Sequence, residues 1–206
     1  MVAPKLIALD WGSSRLRAFL LGASGTVLAT RQSNDGAATL KGAEQYAGAL
    51  AALVGDWRAD HPGIKLLACG MVGSQYGWRE APYVRCPADA AALASQVLKL
   101  DDQLSIIPGL VDDAAQPDVM RGEETQIVGA LALHPELADD ACLVLPGTHS
   151  KWARVRGGQV TGFATHMTGE LFALLRQHSV LNRLMPADGG SPASPEAFLK
   201  GVDAAR

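Results

Sequence analysis

The feature that most constrains this chain is a short hairpin that occurs twice. Leu6-Ile7-Ala8-Leu9-Asp10 is an apolar strand ending on a carboxylate. Trp11-Gly12-Ser13-Ser14 turns, and Arg15-Leu16-Arg17-Ala18-Phe19-Leu20-Leu21 returns. Leu143-Val144-Leu145-Pro146-Gly147-Thr148-His149-Ser150-Lys151-Trp152-Ala153-Arg154 repeats the outline: apolar strand, glycine followed by a hydroxyl residue, basic return strand. Each copy then meets a second glycine-containing turn (Gly22 to Gly25, then Gly157-Gly158) and a third strand. Two copies of one unit predict a duplicated fold with a ligand-binding turn in each half. Gly12 lets the backbone approach a ligand closely, and consecutive turn N–H groups can surround a phosphate oxygen. Asp10 beside that turn suits Mg²⁺, which favours one or two carboxylates plus phosphate oxygens. A plain hairpin with a turn-forming Asp explains the first copy alone equally well. The repetition favours the phosphate reading.

The rest of the chain alternates strands and helices. Thr26 to Thr30 reads as a third strand. Tyr46, Leu50, Leu53, Val54 and Trp57 recur at helical spacing between Ala43 and Trp57, and Ile64 to Cys69 is the next strand. A helix over Ala88–Leu100 with Asp89 near its start, a strand Leu104–Ile107, and a helix from Glu123 to about Leu133 follow. After the second hairpin an amphipathic helix runs from about Gly169 into the Asn182 region, with Thr168 as a candidate cap. Pro186 to Pro195 is a loop, and one more helix starts at Pro195. A hairpin-led mixed sheet with crossover helices is an α/β design.

Between two of these elements, Gly70-Met71-Val72-Gly73-Ser74-Gln75-Tyr76-Gly77-Trp78-Arg79-Glu80-Ala81-Pro82-Tyr83 has no helical period and follows a buried strand. Ligands in open α/β sheets collect past the carboxyl ends of strands, which makes this a candidate substrate loop. An ordinary surface loop, with Trp78 and Tyr83 as packing residues and Arg79-Glu80 as a solvated pair, is the plainer explanation. Glu123 and Glu124 open a helix, where the macrodipole alone favours carboxylates; alternatively one of them faces the site as a base.

Bulk properties exclude several classes. The 206 residues are 48% hydrophobic and 19% charged, enough for one large domain or two small ones with real cores. A net charge of −3 gives no electrostatic case for nucleic acid. No leader-like start and no apolar run of about 20 residues is present, so no membrane role and a cytoplasmic location are expected. Cys69, Cys86 and Cys142 are odd in number and unpaired in spacing, as expected of reduced, mostly buried thiols. His149 and His166 lack partners at zinc-ligand spacing.

Seven stretches in order (Leu9 to Ser13, Gly70 to Ser74, Gly77 to Tyr83, Ile107 to Leu110, Met120 to Gln126, Pro146 to Trp152 and Met167 to Leu171) closely resemble the 2-dehydro-3-deoxygalactonokinase family of the actin/hexokinase/Hsp70 superfamily. The resemblance implies duplicated actin-like ATPase (ribonuclease H-like) domains with mixed sheets, 1–140 and 141–206, the second incomplete because the family continues beyond this length. It implies transfer of the ATP γ-phosphate to the 6-hydroxyl of 2-dehydro-3-deoxy-D-galactonate in D-galactonate catabolism. Asp10 would be catalytic and hold Mg²⁺; Gly12, Ser13, Ser14, Gly147, Thr148 and His149 would contact ATP. Glu124 or Glu123 would be the base, the choice between them open. Gly70, Met71, Gly73, Ser74, Arg79 and Tyr83 would meet the sugar acid, with Lys151 nearby. Asp10 has no counterpart near Leu145. Two rivals stand beside this reading: an exopolyphosphatase-like phosphohydrolase using water as nucleophile, and a catalytically silent sugar-binding fragment of the same fold. Oligomeric state is open, a homodimer being one candidate, as is selectivity between galacto- and gluco-configured acids.

Overall fold

The computed structural model describes residues 2–114, 116–184 and 194–205. Alternation along β1 (Pro4–Trp11) sends Ile7, Leu9 and Trp11 into a core on one face and leaves Asp10 on the other. β2 (Leu16–Gly22) returns antiparallel with Arg17 opposite Asp10, and β3 (Val27–Ser33) completes the meander. α1 (Gly42–Asp60) buries Tyr46, Leu50, Leu53, Val54 and Trp57, the stripe its sequence spacing predicts. It covers the Ile7–Trp11 face, where the rings of Trp11 and Tyr46 lie 5.4 Å apart.

β4 (Lys65–Gly70) runs parallel to β1, pairing Cys69 with Asp10 and Gly70 with Trp11. After it come β5 (Tyr83–Arg85), α2 (Ala90–Ser95), β6 (Leu98–Lys99) and β7 (Leu104–Ile106). One sheet has the order β3-β2-β1-β4-β7-β6, with β7 parallel to β4 and β6 antiparallel to β7. β8 (Gly109–Asp112) and β9 (Asp118–Met120) join β5 in a second sheet. α3 (Glu123–Leu133) precedes β10 (Asp140–Leu145), β11 (Ser150–Arg156) and β12 (Gln159–His166), a third sheet in that order. α4 (Gly169–His178), a 3₁₀ turn at Val180–Leu184 and α5 (Pro195–Ala204) follow.

Contacts divide the chain into two units: Met1–Leu145 with Lys151–Thr165, and Pro146–Ser150 with His166–Arg206. The first holds two cores. One packs α1 on the six-stranded sheet; the other gathers Val84, Leu93, Leu110, Met120, Ile127, Ala153, Val155 and Val160 from the smaller sheets, α2 and α3. In the second unit, α4 and α5 contain no buried residue, and Phe172 and Phe198 are exposed.

The mixed α/β architecture and its repeated hairpins match expectation, with four local corrections. The helix expected over Ala88–Leu100 ends at Ser95, because Leu98 and Lys99 pair with Ile106 and Ser105 as an edge strand. Asp89, expected near its start, caps it, accepting from the Ala92 N–H at 2.9 Å. The helix expected from Gly169 into the Asn182 region breaks at Ser179, whose hydroxyl accepts from the Leu181 N–H and whose backbone is extended. Thr168 does not cap α4 with its side chain. Cys142 is exposed rather than buried, since its strand face looks outward. Most of the Pro186 to Pro195 loop lies outside the described residues. Among the described residues, no helix is long and apolar enough to cross a membrane.

Ile7→Ala should destabilise the chain by about 2–5 kcal/mol in urea unfolding followed by Trp fluorescence, because Ile7 is 0% exposed in the core. Leu133→Ala, at a position 79% exposed, should change stability by less than about 0.5 kcal/mol.

Candidate active site

The first turn is held by its carbonyls. Gly12 and Ser13 accept from the N–H groups of Ala37 and Ala38 at 2.9 and 3.0 Å, latching the turn to the segment after β3. Gly36 makes this possible: a Cβ there would collide with the Ser13 carbonyl. The Gly12 N–H is spent on Arg15 O at 3.0 Å, so this one of the expected phosphate donors is engaged within the turn. Ser13 and Ser14 are exposed, and their N–H groups have no partner among the described residues.

Beside the turn, Asp10 projects from β1 with its side chain 33% exposed and an Arg17 Nη2–Oδ2 distance of 2.5 Å. It lines a cavity of about 340 Å³ with Phe19, Leu67, Cys69, Ile107, Gly122, Thr125 and Gln126, so the carboxyl end of β1 faces the first turn of α3. Burial, aided by the Asp10 and Glu124 charges, pushes the Cys69 thiol up to about 12, leaving it a neutral floor to the cavity. Among the described residues no three His, Cys, Asp or Glu side chains form a metal cage. Asp10 offers one carboxylate beside the turn, a donor set that would suit Mg²⁺ only with further oxygens supplied by a ligand.

The two glutamates part company. Glu124 is 1% exposed; its Oε2 accepts from the Gly122 N–H at 2.6 Å and its Oε1 from the Thr125 hydroxyl at 3.1 Å. Burial raises its pKa from 4.5 to about 7, outweighing those bonds. Glu123 is half-buried and accepts from the Arg121 N–H at 3.2 Å. Glu124 borders a second cavity of about 360 Å³ with Leu93, Leu110, Ile127, Leu131 and Val160, while Thr125 borders the Asp10 cavity. The Thr125 hydroxyl thus connects the buried carboxyl to the side of α3 where Asp10 lies. Sequence reasoning gave no role to Thr125 or Gln126; their signals were a place in the Met120 to Gln126 stretch and a position one and two residues beyond Glu124.

The candidate substrate loop folds on itself. Trp78 N–H donates to Val72 O and Ala81 N–H to Gly73 O, both at 2.9 Å. Trp78 stacks on Tyr46 with centroids 5.7 Å apart, a packing role. Gly73 and Ser74 are buried and Met71 packs on the core, so these three sit beneath the loop rather than on its open surface. Gly70 closes β4, Arg79 is exposed, and Tyr83 lies under the Arg121 guanidinium at 4.2 Å. Lys151 is accounted for structurally: its ammonium donates to Val119 O at 2.5 Å and to Thr165 Oγ1 at 2.6 Å, near Asp118.

In the second unit the latch recurs. Gly147 O accepts from the Gly169 N–H at 3.2 Å and Thr148 O from the Glu170 N–H at 3.0 Å. A Cβ at Gly169 would collide with the Gly147 carbonyl. The Thr168 hydroxyl turns to Ser150 and Gly147 O, which is why it does not cap α4. His149 Nε2 lies 2.6 Å from Glu170 Oε2. Gly147, Thr148 and His149 are exposed, their N–H groups without partners among the described residues.

Comparison with known proteins gives a consistent picture. The family model described as 2-keto-3-deoxy-galactonokinase matches residues 10–206. The 2-dehydro-3-deoxygalactonokinase of Escherichia coli (strain K12) is 40% identical over 200 residues, covering 97% of this chain and 65% of that protein. A Sinorhizobium meliloti structure provisionally described as a 2-dehydro-3-deoxygalactonokinase superposes with a TM-score of 0.73 at 40% identity, covering 86% of this chain and 59% of that one. The Ppx/GppA phosphatase of Aquifex aeolicus shares the fold, with a TM-score of 0.50 at 12% identity over 96% of this chain and 60% of that one. The chain thus spans under two thirds of the length of these relatives.

Glu124 gives stability a pH signature. The fold favours its protonated form, so its contribution is full below about pH 4.5 and is lost as pH rises through about 7. Urea unfolding should show a decline on the order of 3 kcal/mol across that window. Glu124→Gln should remove this share of the decline.

Proposed function

The chain belongs to the 2-keto-3-deoxy-galactonokinase family, and from that premise we propose that it supplies the acceptor loop and phosphate turns of an ATP-dependent kinase. The acceptor is the 6-hydroxyl of 2-dehydro-3-deoxy-D-galactonate, a step of cytoplasmic D-galactonate breakdown. The observation that carries this reading is the placement of Asp10. A carboxylate at the end of a central strand shares a cavity with the first turn of α3 and stands beside a turn with free N–H groups.

Phosphoryl transfer asks the protein for alignment and charge neutralisation. Mg²⁺, when bound, neutralises charge on the β- and γ-phosphates, and Asp10 is the side chain suited to hold it. Arg17, bonded to Asp10, fixes the carboxylate's direction. Ser13 and Ser14 offer N–H and hydroxyl donors to phosphate oxygens, and the second turn, taken by itself, offers the same through Gly147, Thr148 and His149. Glu124 is our choice of base over Glu123, since a carboxyl poised near 7 can take a proton at neutral pH. Thr125 couples it to the cavity. Gly70, Arg79 and Tyr83 border the acceptor. Residues 1–140 and 141–206 are proposed as the two duplicated halves. Water as acceptor is disfavoured, because the loop from Gly70 to Tyr83 carries Arg79 as its single basic residue, too little for a polyanion.

A coupled ADP-release assay with Mg·ATP and the sugar acid tests this, on the chain and on a version carrying the rest of the length its E. coli relative has. Acid-dependent ADP release is expected, falling as pH drops below about 7 when Glu124 protonates. Asp10→Asn and Glu124→Gln should each lower turnover by about 10²-fold or more. A folded, extended protein without acid-dependent turnover would end the kinase reading.

A further inference from the structure

Arg121 lies between β9 and α3 with part of its chemistry unspent. Its Nη2 donates to the Ala81 carbonyl at 2.8 Å, its Nε approaches the Tyr83 hydroxyl at 3.4 Å, and the guanidinium centre stands 4.2 Å from the Tyr83 ring centroid. These contacts tie the loop from Gly70 to Tyr83 to the start of α3. They leave Nη1, which is buried and has no hydrogen-bond partner among the described residues. None of the ion pairs among the described residues includes Arg121; the nearby Glu123 carboxylate accepts from its backbone N–H instead.

A guanidinium stays charged at any physiological pH. Arg121 is half-buried, but burying one of its donors without a partner costs stability that a neutral side chain in the same place would not. Support of the loop explains Nη2 and the ring contact, and leaves Nη1 unexplained. What completes an unpaired guanidinium is a carboxylate, which accepts two parallel N–H bonds in the guanidinium plane.

We infer that Arg121 reads the carboxylate of the acceptor. The inference rests on the acceptor being a sugar acid, as proposed above. Nη1 is covered by the single 3₁₀ turn Met71–Gly73, which follows Gly70 at a φ of 91°. A Cβ on Gly73 would stand 3.0 Å from Nη1 and 2.9 Å from Ile106 Cγ2, so glycine keeps this cover thin. Reaching Nη1 requires that turn to shift, releasing the bonds that the Val72 and Gly73 carbonyls accept from the N–H groups of Trp78, Arg79 and Ala81.

Calorimetric titration of this chain with 2-dehydro-3-deoxygalactonate and with its neutral carboxamide separates recognition from loop support. The wild-type chain should bind the acid about 10- to 100-fold more tightly than the amide, as a charge-assisted bond implies. Arg121→Met should abolish that preference, reducing the acid-to-amide affinity ratio to about one whatever the loss of loop support does to both ligands. Arg121→Lys, which keeps the charge and loses the fork, should restore part of it, and thermal unfolding of each variant reports folding. Equal weakening of both ligands, an unchanged preference in Arg121→Met, or a wild-type chain that shows no preference or binds neither ligand overturns the inference. If a variant fails to fold, the wild-type preference for acid over amide still decides. Acid preference without ADP release refutes the kinase reading alone; ADP release that treats acid and amide alike refutes the role of Arg121 alone.

Discussion

Two main-chain hydrogen bonds at the first turn, from Ala37 and Ala38 to the carbonyls of Gly12 and Ser13, fix everything that makes this hairpin useful. Carbonyls directed inward are satisfied there, so the turn presents its remaining N–H groups outward without leaving a buried acceptor unpaired. The second turn reaches the same result with a different donor. The N–H groups of Gly169 and Glu170 belong to the first turn of α4, and helix-start donors need partners in any case. In each copy a glycine without a Cβ permits the close approach.

Three charged residues around the start of α3 show how the fold handles charge. Arg121 is directed to the loop, Glu123 to the backbone beside it, and Glu124 into an apolar setting where its carboxyl is costly to ionise. The helix dipole and the Gly122 N–H favour the ionised form; desolvation wins. A plain structural helix start gains from carboxylates in water. This one holds a carboxyl where ionisation near neutrality is a close contest, a setting that suits proton exchange more than stability.

Much of this was legible in the sequence. The repeated hairpin, the α1 stripe from Tyr46 to Trp57 and the α3 boundaries depend on local periodicity and punctuation, and they appear where the residues placed them. The short strands β5, β8 and β9 were not legible. Three or four residues carry no period, and β5 finds its partner β8 only across α2, β6 and β7. The same blindness affected the site. Asp10 announces itself at a strand end, yet whether Ser74 faces a ligand or the interior depends on how the loop folds over Arg121. Lys151 looks like a cleft cation in sequence, and becomes a tie between β9 and β11 only once Val119 and Thr165 are seen beside it.

The carbonyl latch also sorts the residues of the hairpin by duty. Glycine and main-chain atoms hold the geometry, so the side chains of Ser13 and Ser14 carry no part of the folding load. Position 36 is closed to variation by its surroundings, whereas positions 13 and 14 are open to it. If the proposed phosphate role holds, the tip of the hairpin is a place where that contact can be re-tuned, by selection or by a protein engineer, with the scaffold beneath it left intact.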